Sequence, residues 1–281
     1  MLLSVFGDVH GNLRAVDDLA SRWEASRGKP LHAILLAGDV GMYPDPRRFD
    51  GPTLHHDTRR NIDPTLVYQP ARYVAGELEM SHQVYFCRGN HEDHQFLRKH
   101  RDSAVDPGGK LVYWAGGNVH ELREGGKTVR VLTLGGIHPA SWRDPFTDPK
   151  GRRTPPEKYF DAEELRAADS APAGTVDILL THDGPVGMCL TPKPEAGSPF
   201  LLSLVMRLQP RFHFFGHYGI PPPPTRIGKS WVVPLNQRKV VHVPFRDGGM
   251  GVLDTEAWTF EFVFDVDHVS EPREDWGILS G

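Results

Sequence analysis

Five short apolar runs in this chain each end in a Gly or Thr followed by Asp, Asn or His. Leu2-Leu3-Ser4-Val5-Phe6 leads into Gly7-Asp8-Val9-His10, and Ala33-Ile34-Leu35-Leu36-Ala37 leads into Gly38-Asp39. Val84-Tyr85-Phe86 leads through Cys87-Arg88 into Gly89-Asn90-His91-Glu92. Val176-Asp177-Ile178-Leu179-Leu180 runs into Thr181-His182-Asp183-Gly184-Pro185, and Phe212-His213-Phe214-Phe215 runs into Gly216-His217. Runs of this length, bounded by turn residues, predict buried strands.

Between the first two runs, Leu13, Val16, Leu19, Ala20 and Trp23 recur at helical spacing. A β-α-β start of this kind places Asp8 and Asp39 at strand C-terminal ends, the edge on which open α/β sheets carry their sites. Further helices are predicted over 71–80, 161–168 and 200–208, the second with Asp161 as N-cap and Glu164 three residues on. Short strands are predicted over 111–114, 118–122 and 128–134, with Gly125-Gly126 as a hairpin turn. The tail alternates like antiparallel strands over 231–235, 240–243, 251–253 and 258–263. Two Pro-rich stretches interrupt this pattern. Residues 41–70 hold Pro44, Pro46, Pro52, Pro64 and Pro70 with His55, His56, Arg59 and Arg60, and residues 139–160 hold Arg152 and Arg153. They read as long loop insertions of the kind that carry function. With no internal repeat and no clear linker, the expectation is one domain over 1–281. Its class is α/β, with two packed mixed β-sheets flanked by helices.

Net charge is −4 with 15 His uncounted, so no global basic field recruits nucleic acid. The basic loops keep a nucleic acid or nucleotide open as a local partner. Cys87 and Cys189 are the only cysteines, which suits a reducing compartment and not a disulfide scaffold. No stretch approaches an apolar membrane span, and the first residues read as a strand without a basic leader. These features predict a cytoplasmic protein with no membrane contact.

The residues at the run ends carry the chemistry. Carboxylates, imidazoles and one amide oxygen are ligands for divalent metals of borderline hardness such as manganese, iron or zinc. Asp8 and His10, two apart on an extended segment, point the same way. A carboxylate ending a central strand, such as Asp39, can bridge two ions. Two ions roughly 3.5–4 Å apart clamp a phosphoryl group during in-line displacement. His91, beside Asn90, is then placed to protonate the leaving oxygen. Arg88, Arg59, Arg60 and Arg152 are candidate substrate contacts, with a structural carboxylate as the alternative partner for Arg88. Asp183 reads as a turn residue before Gly184-Pro185. Glu92 reads as a local hydrogen-bonding group, and His32, His213 and His242 as structural histidines.

The ordered motifs Gly7-Asp8-Val9-His10, Gly38-Asp39, Gly89-Asn90-His91-Glu92, His182 and Gly216-His217 resemble those of the calcineurin-like metallophosphoesterases. That resemblance implies a four-layer sandwich of two sheets flanked by helices. It implies one metal on Asp8, His10 and Asp39, and a second on Asp39, Asn90, His182 and His217, with His91 as catalytic acid. The implied cofactors are two divalent ions, manganese first, with iron, zinc or magnesium as alternatives. The implied substrate is a phosphate ester.

Two departures bear on substrate. The family's last motif ordinarily ends in a second His, where this chain has Gly219. The phosphoprotein phosphatase branch, which looks similar around Gly7–Asn12 and Arg88–Glu92, has the same reduced ligand set. That branch continues its second motif into an Asp-Arg-Gly that holds phosphate and orients the catalytic His. Here Asp39 is followed by Val40-Gly41-Met42-Tyr43, so neither group is expected. The layout from Gly135 to Pro185 is instead similar to RNA lariat debranching enzymes. The reading is a dinuclear metal-dependent hydrolase of phosphoric esters, leaning to phosphodiesters or nucleotides. Its alternatives are a phosphomonoesterase or protein phosphatase, and a phosphate- or nucleotide-binding protein weakened in catalysis.

Overall fold

The computed structural model describes residues 1–53, 69–138, 157–188, 196–219, 222–236, 249–264 and 278–281. The first sheet has eight strands: β1 (Leu2–Phe6), β2 (Ala33–Leu36), β3 (Val84–Phe86), β4 (Ser103–Ala104), β5 (Leu111–Tyr113), β12 (Met250–Asp254), β13 (Thr259–Phe262) and β14 (Leu279–Ser280). Their order is β14-β13-β12-β1-β2-β3-β5-β4. The second sheet has six: β6 (Val119–Glu124), β7 (Lys127–Leu134), β8 (Ile178–Thr181), β9 (Phe212–Phe215), β10 (Thr225–Ile227) and β11 (Ser230–Pro234), in the order β10-β11-β9-β8-β7-β6. The described α-helices are α1 (Leu13–Arg27), α2 (Gln69–Val74), α3 (His94–Lys99), α4 (Ala162–Ser170) and α5 (Pro199–Leu208), with a short 3-10 helix over Pro46–Arg48.

Each sheet is parallel at its centre and antiparallel at its margins. β1, β2, β3 and β5 pair in parallel, and so do β7, β8, β9 and β11. β1, β2, β8 and β9 are buried along almost their whole length, which is why they read as unbroken apolar runs. One core lies between the sheets and includes Leu3, Val5, Leu35, Leu180, Phe212, Phe214 and Phe260. A second packs α1 onto the first sheet through Leu13, Val16, Leu19 and Trp23. A third packs α4 and α5 onto the second sheet through Leu165, Leu201, Leu204 and Val205. The result is the expected two-sheet α/β sandwich with helical outer layers.

Several expectations change at their edges. Asp161 caps α4 as predicted, accepting from the backbone N–H of Glu163 and Glu164. The Glu164 side chain does not complete a capping box, because Arg88 and Arg101 hold it. The helix predicted over 71–80 is the shorter α2, and α3 has too few apolar positions to stand out in the sequence. Gly125 and Gly126 form the β6–β7 turn, at φ 54° and 80°. The strand predicted over 240–243 lies outside the described residues, as do His55, His56, Arg59, Arg60, Arg152, Arg153, His242 and Cys189. Among the described residues, no helix is long and apolar enough to cross a membrane.

Candidate metal centre

The five motif loops follow the C-terminal ends of β1, β2, β3, β8 and β9 and converge on one spot between the two sheets. Asp8 and Asp39 are fully buried there. Each carboxylate uses one oxygen to hold a neighbouring loop. Asp39 Oδ1 accepts from the backbone N–H of Asn90 at 2.7 Å and of His91 at 2.8 Å. Asp8 Oδ1 accepts from the N–H of His217 at 2.7 Å. The other oxygen of each, Oδ2, is buried with no hydrogen-bond partner among the described residues. A buried carboxylate oxygen without a donor is costly unless a cation meets it.

The donors around those oxygens fall into two groups that share one residue. Asp8, His10 and Asp39 offer ligand atoms all within 4.8 Å of one another, and so do Asp39, His182 and His217. Asn90 joins the second group, its Oδ1 2.9 Å from His182 Nε2. His182 Nδ1 lies 2.9 Å from the carbonyl oxygen of Ala37, so it carries the proton donated there. Nε2 then presents a lone pair toward Asn90 Oδ1 and, at 3.5 Å, Asp39 Oδ1. Lone pairs facing one another require a positive charge between them, either a proton or a metal ion. Without metal a proton serves. Burial alone would lower the pKa of His182, but the charges of Asp39 and Asp8 carry it up to about 10. His217 moves the other way. Burial, with the His182 charge behind it, brings it down to about 4, so its imidazole is neutral, the form that binds metal. The donor set and its orphaned oxygens therefore fit two divalent ions sharing Asp39.

The local backbone is specialised for this convergence. His10, Asp39 and His217 have φ of 43°, 44° and 67°, a left-handed region that non-glycine residues occupy at a cost of about 1–3 kcal/mol each. Two glycines admit the close approaches. A Cβ on Gly89 would strike Asp39 Oδ1 and its backbone N, and one on Gly216 would strike Asp8 Oδ1. Glu92 is buried and locks two of the loops together. Its Oε1 accepts from Val40 N at 2.8 Å and Gly89 N at 3.3 Å, and its Oε2 from Met42 N at 2.6 Å.

His91 stands beside the centre, its ring centroid 5.9 Å from that of His10. Its Nδ1 is 2.6 Å from Asp50 Oδ2, and Asp50 Oδ1 accepts from Thr53 N at 2.8 Å. Burial lowers the pKa of His91, but the Asp50 hydrogen bond and the Asp39 charge outweigh it, so the ring keeps its proton above the ordinary histidine range. Sequence reasoning expected no orienting carboxylate after Asp39. Asp50 supplies one from further along the same loop, and no motif spacing marks it.

Arg88, expected among substrate contacts, is buried and spends its guanidinium on the protein. It donates to the carbonyls of Glu157 and Tyr159 and pairs with Glu164 at 3.1 Å, the structural partner its alternative reading anticipated. Arg59, Arg60 and Arg152 lie outside the described residues.

Several solved structures superpose on this fold. One crystal structure superposes with a TM-score of 0.60 at 12% identity, covering 94% of this chain and 99% of its own. TT1561 of Thermus thermophilus superposes at 0.54 with 17% identity, covering 94% of this chain and 98% of its own. GAP50, the anchor in the inner membrane complex of Plasmodium, superposes at 0.51 with 12% identity, covering 100% of this chain and 88% of its own. At such identities these likenesses speak for the fold alone. A search of curated proteins finds no match. The sequence profile of the calcineurin-like phosphoesterases matches residues 1–221, which span all five motifs, and the chain belongs to that family.

Proposed function

We propose that this protein hydrolyses phosphate esters with two divalent ions. One would be held by Asp8, His10 and Asp39, the other by Asp39, Asn90, His182 and His217. The observation that carries the proposal is Asp39. A single buried carboxylate belongs to both ligand groups and keeps an oxygen with no hydrogen-bond partner among the described residues. Bound divalent cations supply Lewis acidity, neutralising phosphoryl oxygens and activating water near neutral pH. Manganese suits this mixed nitrogen and oxygen set, as do iron and zinc.

The chain's own residues would do the rest. His182 donates Nδ1–H to Ala37 O, which fixes its tautomer and aims Nε2 inward. His91 is engaged by Asp50 at Nδ1, which leaves Nε2–H for the leaving-group oxygen. Asp50 would hold that ring in place and favour its protonated form. The substrate lean is to phosphodiesters or nucleotides, supported by the missing Asp-Arg-Gly clamp after Asp39 and by the arginines of the two insertions. One observation favours a phosphomonoesterase instead. The His91–Asp50 pair restores half of what that clamp provides in the phosphatase branch. We also propose that residues 1–281 form one domain, supported by the pairing of β12 with β1.

The test is to load the protein with manganese and compare a nitrophenyl phosphate monoester with the matching bis-ester, before and after chelation. Chelator-sensitive turnover of either ester is expected, with the bis-ester faster. A faster monoester would favour the phosphatase reading. Two bound ions with no turnover of either ester would leave the binding-protein alternative.

A further inference from the structure

We propose that Asp183, acting with Tyr218, is a positioning residue that holds His182 and His217 in register on the second sheet. This deepens the metal reading above and rests on it. Asp183 is 1% exposed and follows His182 directly. Its Oδ1 accepts from the Tyr218 hydroxyl at 2.6 Å and from Gly184 N at 2.8 Å. Its Oδ2 accepts from His138 N at 2.8 Å. Those donors sit on the loops that follow β7, β8 and β9, so one carboxylate ties three adjacent strand ends together. It does for the second sheet what Glu92 does for the first.

The tether bears on both histidines. On the His182 side, the Thr181 hydroxyl donates to Asp183 O at 2.6 Å and lies 2.8 Å from Nε2 of the buried His213. The main chain on either side of His182 is thus held from beneath. On the other side, Tyr218 follows His217, whose φ of 67° persists only where surrounding contacts over-determine it. The Tyr218–Asp183 bond is such a contact. The His182 and His217 rings lie with centroids 5.0 Å apart, so a slip of either loop separates donors that belong to one ion. Asp8 and His10 stand on the other sheet, and Asp8 meets this network only at its edge, its Oδ1 accepting from His217 N at 2.7 Å.

The experiment uses Tyr218→Phe, which keeps the ring and removes one donor, and Asp183→Asn, which turns an acceptor toward His138 N into a donor. Manganese is titrated calorimetrically into wild type and variants. The imidazole 15N–1H spectra of the metal-free proteins are recorded alongside. The expected result is one of two sites weakened about 10–100-fold, the scale at which partners of ligands act. The other site should be weakened less, and His182 and His217 signals should shift while those of His10 stay in place. Wild-type affinity at both sites in the variants overturns the proposal. If Asp183→Asn does not fold, Tyr218→Phe decides alone. If wild type itself binds no manganese, the metal reading fails. The spectra then decide the tether by themselves: displaced His182 and His217 signals support it and undisplaced signals overturn it.

Discussion

His91 and Asp50 show how much one contact decides at the scale of single residues. Both lie in loops, and the 2.6 Å approach of Asp50 Oδ2 to His91 Nδ1 fixes the imidazole in the orientation that the proposed proton donor needs. His91→Asn should cost roughly 10²–10⁴-fold in kcat with bound metal unchanged, the range of a lost general acid. Asp50→Asn should lower kcat less, also without loss of metal. If stopped assays show wild-type turnover for His91→Asn, another group is the acid. The candidate ligand residues were legible in the sequence because each follows an apolar run, and the strand ends carry them to one place. Asp50 was not legible. It lies among the prolines of 41–70, and only the folded path of that loop brings it back to His91. Arg88 was legible as a choice between two partners, and in the fold it lies buried against Glu164.

Elements were most readable where burial is continuous on both faces. β1, β2, β8 and β9 appear in the sequence as unbroken apolar runs because a helix layer covers one side and the other sheet covers the opposite side. Short elements such as β4, β14 and α3 left no periodic signal, since each rests on pairing or capping rather than on its own apolar face. One contact between elements gives a pH-dependent prediction. His82, just before β3, is held between two carboxylates of α1, with Nδ1 2.6 Å from Asp17 and Nε2 3.2 Å from Glu24. The Asp17 hydrogen bond, seconded by Glu24 and opposed by burial, raises its pKa above 6.5. A raised folded pKa stabilises fully below the unfolded value, and that contribution is lost as pH climbs through the folded value. His82→Ala should therefore cost about 1.5–3 kcal/mol near pH 6, the scale of hydrogen bonds to charged groups. The gap to wild type should narrow in denaturant melts at pH 9. An equal gap at both pH values would show that packing, not charge, holds His82.

Across the whole molecule, the site exists because two parallel half-sheets meet with their C-terminal edges together. Both candidate carboxylates, Asp8 and Asp39, come from one sheet and the last two imidazoles from the other. The matched family region ends at residue 221, yet β12 pairs with β1 along its full length and adds Leu253 to the core between the sheets, with Phe260 of β13 beside it. Removing residues 249–281 should leave β1 with an open edge and a gap in that core. The truncated chain is expected to be insoluble or molten by circular dichroism, whereas a folded, metal-binding product would show that the tail is dispensable. Asp39 is the residue common to both candidate ligand groups, one of which reaches across to His182 and His217 of the second sheet. The decisive measurement is metal content per chain, by elemental analysis, in wild type and Asp39→Asn after equal manganese loading and desalting. Two ions in wild type and loss of both in the variant are expected, because one carboxylate serves both groups. Two ions retained by folded Asp39→Asn would contradict the shared-ligand centre.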